Sequence, residues 1–100
     1  MLFHSTRGGD RDRTFEEVLM QGLASDGGLF MPDSWPQVDL NLLRTKTSFI
    51  EVAEEIVPLF TASSFSRDEV VEVLQTTWHD FSNKDIAPIK HLKDDQLILE

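Results

Sequence analysis

The sequence predicts an α/β fold that is rich in helices and has only short strands, so that in isolation it resembles an α+β domain. Three observations carry this prediction. Three helix-start motifs are each followed by apolar residues at helical spacing, short apolar runs of strand type occur near both ends, and a glycine pair precedes a further such run at residues 29–31. A length of 100 residues with 40% hydrophobic content suits one small core.

Composition excludes several classes of function. The net charge is -9, with 18 acidic and nine basic residues, which argues against nucleic acid as a partner. The sequence has no cysteine, which excludes disulfides, thiolate zinc sites and a cysteine nucleophile. No apolar run reaches the length of a membrane span and no signal-peptide region is evident, so we expect no membrane partner and a cytoplasmic location.

The first residues predict a strand followed by a loop. Residues 1–6 read as a short strand because Leu2 and Phe3 are apolar and the following residues tolerate extended backbone. Residues 7–13 carry glycines and charges without periodicity, which predicts a mobile loop.

Three helices are predicted from their first residues. Thr14-x-x-Glu17, Ser48-x-x-Glu51 and Ser66-x-x-Glu69 are capping boxes, in which hydroxyl and carboxylate each accept from the other residue's backbone N–H. The residues that we expect to face inward share one side of each helix: Phe15, Val18, Leu19 and Leu23; Phe49, Val52, Ala53, Ile56 and Phe60; Val70, Val71, Leu74, Trp78 and Phe81.

Other signals set the ends of helices and the last strand. Gly22 is expected to end the first helix, and Pro58 to kink or end the second. A short helical turn is predicted over residues 40–44, capped by Asp39. After a polar turn at residues 82–85 and an extended segment around residue 88, residues 96–100 predict a strand buried on both faces of a parallel sheet.

Two segments are candidate anion sites. Ser5, Thr6 and Arg7 precede two glycines and could grip a phosphate or carboxylate, although a strand end running into a loop explains them at least as well. The glycines of residues 26–28 could form a backbone nest for an anion, but a tight turn with positive φ before a strand is the favoured interpretation.

No metal site is predicted. His4, His79 and His91 lack metal-ligand spacing. Asp10-x-Asp12 could begin a calcium loop, but its sixth position is not glycine and its twelfth is not glutamate, so we reject this reading.

Residues 14–32 closely resemble a signature near the start of threonine synthases, F-E-E-A-x-x-x-G-L-A-x-D-G-G-L-F-x-P. The likeness continues more weakly. Residues 48–51 are similar to the start of the family's second helix, residues 86–89 to its V-x-P-L segment, and residues 96–100 to its L-x-x-L-E-L strand.

The resemblance implies that residues 1–100 are the N-terminal domain of a pyridoxal-phosphate (PLP) enzyme of the tryptophan-synthase-β type, fold type II. In the family, an H-G-P-T-x-A-F-K-D motif after the last strand carries the cofactor lysine. Lys46, Lys84, Lys90 and Lys93 lie in no such context. We therefore expect the catalytic PLP domain beyond residue 100, no catalytic or cofactor-binding residue in this portion, and no PLP bound to it.

The implied reaction of the full-length enzyme converts O-phosphohomoserine and water to threonine and phosphate, a step of threonine biosynthesis. The implied partners are this small substrate and the enzyme's own C-terminal PLP domain. Two alternatives stay open. One is a threonine-synthase-like phospho-lyase that acts on another phosphorylated amine, and the other is a non-catalytic interaction module.

Overall fold

The computed structural model describes residues 1–79, 81 and 85–99 of the chain. These residues form four helices and four short strands, so the predicted mixture of helix and strand is confirmed. The elements in chain order are β1 (Phe3–Ser5), α1 (Phe15–Gln21), β2 (Phe30–Pro32), α2 (Leu40–Leu43), α3 (Phe49–Thr61), α4 (Arg67–His79), β3 (Ile89–His91) and β4 (Leu97–Leu99).

The strand predicted at the N-terminus is present and pairs with the strand after the glycine pair. β1 and β2 run antiparallel, with Phe3 opposite Pro32 and Ser5 opposite Phe30. The loop between β1 and α1 folds back on β1, because the Ser5 N–H donates to the Asp10 carbonyl at 2.8 Å and Phe3 exchanges backbone hydrogen bonds with Arg13. The loop is thus tied to the strand at two points.

All three predicted capping boxes are confirmed. The Thr14, Ser48 and Ser66 N–H groups donate to the carboxylates of the glutamates three residues later, at 2.8, 3.0 and 2.8 Å. In return, each glutamate N–H donates to the capping hydroxyl, at 3.3, 3.2 and 3.4 Å. The start of α1 has further acceptors, since the Phe15 and Glu16 N–H groups donate to the hydroxyls of Ser63 and Ser64. Each cap therefore satisfies one free N–H of the first turn, and two further N–H groups are satisfied in α1.

The core lies between α3 and α4. Ala53, Val70 and Leu74 are buried, and Val57, Phe65 and Trp78 pack against them. A line of rings joins the strands to this core: Phe3 lies 6.1 Å from Phe15, and Phe15 lies 6.1 Å from Phe65, between ring centroids. The apolar periodicity of the two long helices thus correctly located the central core residues.

Several residues predicted to face inward are instead exposed. Leu19 and Leu23 are 61% and 59% exposed, Phe49 is 45% exposed, and Phe81 is 50% exposed beyond the end of α4. Helical spacing identifies which residues share a face, but it does not say whether another element covers that face. In the described chain, few elements are available to cover α1.

Two predictions about helix ends have different outcomes. Gly22 caps the C-terminus of α1 with φ of 77°, as expected for a glycine in that role. In contrast, α3 continues through Pro58 to Thr61, so an end at Pro58 is wrong. Proline removes one helix hydrogen bond, and here it is a buried residue whose packing offsets that loss. The short turn capped by Asp39 is confirmed as α2.

The prediction of a buried parallel strand near the end of the chain is wrong. β4 pairs with β3 as an antiparallel hairpin, and Leu97, Ile98 and Leu99 are 57%, 43% and 70% exposed. Three consecutive apolar residues favour a strand covered on both faces, but the described chain supplies no such cover. The turn predicted at residues 82–85 falls outside the described residues except for Asp85.

Replacing Ser66 with alanine should destabilise the chain by about 0.5–2 kcal/mol, because the first turn of α4 loses its side-chain acceptor. Glycine at the same position should cost only a few tenths of a kcal/mol. Urea unfolding followed by circular dichroism measures both. Equal stability of Ser66→Ala and the unmodified chain would contradict the contribution of this cap.

Candidate functional site

The antiparallel pairing of β1 and β2 brings two sequence motifs together. The end of β1 continues into Thr6, whose N–H donates to the Leu29 carbonyl at 2.8 Å. The turn of residues 26–28 therefore lies beside residues 5–7, although some twenty residues separate the two segments in the sequence. The three residues predicted as anion contacts, Ser5, Thr6 and Arg7, all lie at this point.

The Asp26 carboxylate is the centre of the contact. Its Oδ1 accepts from the Ser5 hydroxyl at 2.7 Å and from the Gly28 N–H at 2.9 Å, and its Oδ2 accepts from the Gly9 N–H at 2.7 Å. Ser5 is only 2% exposed. These bonds lower the pKa of Asp26, the Ser5 hydroxyl most strongly, because each stabilises the charged carboxylate. We call these residues, Ser5, Gly9, Asp26 and Gly28, the Asp26 clamp.

A second carboxylate, that of the buried Asp10, supports the loop beside the Asp26 clamp. Asp10 is 6% exposed, and it accepts from the Ser25 N–H at 2.7 Å, from the Arg13 guanidinium at 3.1 Å and from the Gln21 amide at 3.2 Å. Its pKa lies well below the usual range, chiefly because of the Ser25 N–H and then Arg13. Asp10 therefore joins the loop after β1 to the end of α1, which fits a structural role.

Gly27 and Gly28 are needed for two different structural reasons. Gly27 has φ of 74°, so the predicted turn with positive φ is confirmed, and a side chain there would be strained. A Cβ on Gly28 would collide with the Ser5 hydroxyl. The Gly28 N–H donates to the Asp26 carboxylate within the chain, so this group is not directed at an external anion. The turn interpretation therefore explains the two glycines.

The three predicted anion contacts have different surroundings. The Ser5 hydroxyl is buried and hydrogen-bonded to Asp26. The exposed Thr6 accepts from the Leu29 N–H at 3.1 Å, which leaves its hydroxyl proton able to donate. The exposed Arg7 donates through Nη1 to the Asp26 carbonyl at 2.9 Å and makes no ion pair with any described carboxylate. The Asp26 clamp thus orients a guanidinium at the surface.

Sequence reasoning identified the two motifs but missed that they contact each other. It treated Asp26 as a turn residue and Asp10 only as a rejected calcium ligand. The available signal was the pair of short strands predicted at residues 1–6 and 29–31, because pairing them places their adjoining loops side by side.

Neither a metal-binding cluster nor a membrane-spanning helix is found in the described part of the chain. No group of three or more histidine and acidic side chains in residues 1–79, 81 and 85–99 is placed to hold a metal ion. Within those same ranges, no helix has the length and apolar character needed to cross a membrane.

PLP needs a lysine for its imine and donors for its phosphate, and neither of two cavities among the described residues has a lysine in its wall. Lys46 pairs with Glu55 at 2.8 Å. The larger cavity found among these residues, about 320 Å³, is lined mainly by apolar side chains and has no cation in its wall. No step that uses PLP is therefore assigned to these residues.

Comparison with known proteins identifies the family of this chain. Residues 2–78 match the family described as "Threonine synthase N terminus". The chain is 36% identical over 99 residues to threonine synthase of Schizosaccharomyces pombe, covering 96% of this chain and 19% of that protein. It is 39% identical over 103 residues to threonine synthase-like 2 of Xenopus laevis, covering 100% of this chain and 22% of that protein.

A solved structure shares the fold. The crystal structure of PLP-bound threonine synthase from Brucella melitensis matches with a TM-score of 0.79 and 27% identity, covering 98% of this chain and 22% of that one. The chain belongs to the threonine synthase N-terminal family and spans about a fifth of the length of these relatives.

Replacing Asp26 with asparagine should destabilise the chain at pH 7 and flatten its pH dependence. The pKa of Asp26 is lower in the folded than in the unfolded state, so its contribution is fully present above the unfolded value, about 3.9, and is lost as the pH falls through the folded value. Urea midpoints between pH 7 and pH 3 measure this effect.

Asp33→Asn is the control, because it removes a carboxylate outside the Asp26 clamp. An Asp26→Asn profile that coincides with that of Asp33→Asn at every pH would show that the clamp contributes nothing specific.

Proposed function

We propose that this chain is the N-terminal domain of a PLP-dependent threonine synthase, and that the parent enzyme converts O-phosphohomoserine and water to threonine and phosphate. The observation that carries the proposal is the family match over residues 2–78, together with 36% identity to a threonine synthase. The bound PLP of the Brucella melitensis structure supports the same cofactor for the parent.

In this proposal, the domain has an architectural role. PLP would supply the electron sink for the reaction, and it would be held by the part of the enzyme beyond residue 100. The described residues support this division, because Asp10 and Asp26 accept hydrogen bonds that hold loops and Lys46 is paired with Glu55.

A second candidate is a threonine-synthase-like phospho-lyase that acts on a different phosphorylated amine. The 39% identity to threonine synthase-like 2 of Xenopus laevis favours it. The two candidates differ in their product, since a simple lyase releases phosphate without forming threonine.

The parent protein, loaded with PLP, should release phosphate from O-phosphohomoserine and form an equal amount of threonine. Phosphate is measured colorimetrically and threonine by amino-acid analysis in the same samples. Heat-treated enzyme is the control. Phosphate release without threonine, together with activity on another phosphorylated amine, would favour the lyase, and no release from any such substrate would favour a non-catalytic module.

We further propose that Ser5, Thr6 and Arg7 form an anion contact for the phosphorylated substrate. In this arrangement Arg7 and Thr6 would donate to the anion, while Ser5 would act through Asp26 to position them. Support comes from the hydrogen bond that fixes the Arg7 guanidinium to the Asp26 carbonyl at 2.9 Å, and from the absence of a carboxylate partner for Arg7 in the described ranges.

Replacing Arg7 with alanine in the parent should raise KM for O-phosphohomoserine by roughly ten- to a hundredfold, which corresponds to losing a hydrogen bond to a charged group. The effect on kcat should be smaller. Steady-state kinetics measures both, and Arg11→Ala is the matched control because Arg11 is an exposed arginine of the same loop. An unchanged KM in Arg7→Ala would remove Arg7 from the substrate site.

A further inference from the structure

Asp26 and Gly27 form a dipeptide that is chemically labile. Glycine has no side chain to hinder its backbone nitrogen, so this nitrogen attacks the carboxyl carbon of a preceding aspartate more readily than when a larger residue follows. Every other aspartate of the chain precedes a larger residue, and no asparagine precedes a glycine. Residues 26 and 27 are therefore the pair in this sequence that is most prone to rearrange.

The rearrangement has two steps and needs only water. In the first step the Gly27 nitrogen forms a bond to Cγ of the neutral Asp26 carboxyl group, and the bond from Cγ to the hydroxyl breaks. The hydroxyl leaves as water with the amide proton, and a succinimide ring results. In the second step water opens the ring at either carbonyl. Opening at the main-chain carbonyl gives isoaspartate, in which the chain runs through Cγ, and nothing is oxidised or reduced.

The folded chain opposes the first step at both reacting groups. The Gly27 N–H donates to the Ala24 carbonyl at 2.8 Å, so the proton that must leave is held. The two oxygens of the Asp26 carboxylate accept from the Ser5 hydroxyl and the Gly9 N–H, each at 2.7 Å, so the carboxylate is held as well. These bonds stabilise the charged carboxylate, whereas the ring closes from the neutral acid.

This protection is local. Gly27 is exposed and Asp26 is only half-buried, so water for the second step has access to the pair. The protecting bonds come from the end of β1, the loop after it and the turn itself. Surface segments of this kind open without unfolding of the whole domain, and each opening frees the carboxylate and the Gly27 nitrogen together.

We propose that Asp26–Gly27 is a site of isoaspartate formation, and that the Asp26 clamp suppresses this modification while it is closed. The product cannot rebuild the clamp, because Cγ is consumed in the peptide bond and the main chain is longer by one methylene group. The main-chain carbonyl that accepts from Arg7 becomes a free carboxylate, which gives that guanidinium an ionic partner. This inference goes beyond the proposed function, because it does not depend on the reaction that the parent performs.

Peptide mapping of the parent protein tests the proposal. Trypsin releases residues 14–44 as one peptide that contains both Asp26 and Asp33. Isoaspartate has the same mass as aspartate, so electron-transfer fragmentation is used to locate it within this peptide. After incubation at 37 °C and neutral pH, we expect isoaspartate at residue 26 to form about tenfold or more slowly in the native parent than in the parent unfolded in guanidinium chloride.

A serine variant tests whether the clamp is the cause of this protection. Ser5→Ala removes one bond to the Asp26 carboxylate, and we expect it to raise the native rate at residue 26 by about threefold or more. Ser34→Ala is the matched control, because the exposed Ser34 hydroxyl donates to Asp33 and lies outside the clamp. This variant should keep the unmodified rate at residue 26.

Three results would overturn the proposal: no isoaspartate at residue 26 even in the unfolded parent, equal native and unfolded rates, or the same native rate in S5A and S34A. Circular dichroism shows whether S5A is folded. If it is not, Gly9→Ala replaces it, because a Cβ there would lie 2.6 Å from Oδ2 of Asp26 and must displace the carboxylate. The same rise is expected. Since the measurement uses no enzymatic activity, its outcome is independent of whether the parent forms threonine.

Discussion

The hydrogen bonds of the Asp26 carboxylate hold the first third of the chain together. One side chain receives the Ser5 hydroxyl, the Gly9 N–H and the Gly28 N–H, so it joins β1, the loop after β1 and the turn before β2. Hydrogen bonds to an ionised acceptor are stronger than neutral ones, and here all three donors would otherwise need water. The close approach that results leaves no room for a side chain on Gly28.

This arrangement explains what residues of the sequence signature do in the fold. Asp26, Gly27 and Gly28 are required together by geometry: the carboxylate accepts the bonds, Gly27 supplies φ of 74°, and Gly28 allows contact with Ser5. Glu17 is required by the capping box with Thr14. These residues of the signature therefore have roles in folding the domain.

The parts of the fold that the sequence predicted well are those decided within a few residues. A capping box needs only a hydroxyl and a glutamate three positions apart, and the helix end at Gly22 needs only a glycine. The Asp26 clamp and the core are different, because their members lie far apart in the sequence. Ser5 and Asp26 are separated by 21 positions, and the strands that bring them together were predicted but not paired.

The errors share a physical cause. Leu19 and Leu23 have the apolar character of covered residues, and the expectation of their burial assumed a cover within the chain, whereas β4 was expected to lie within a parallel sheet. The sequence pattern of a segment shows which of its side chains are apolar, whereas their burial depends on every other element that packs against the segment. The described chain can cover the faces of α3 and α4 that meet, but not the outer side of α1 or the hairpin. Apolar periodicity that is not matched by burial is therefore itself a signal, because it separates the apolar surfaces that the described chain covers from those that it leaves open.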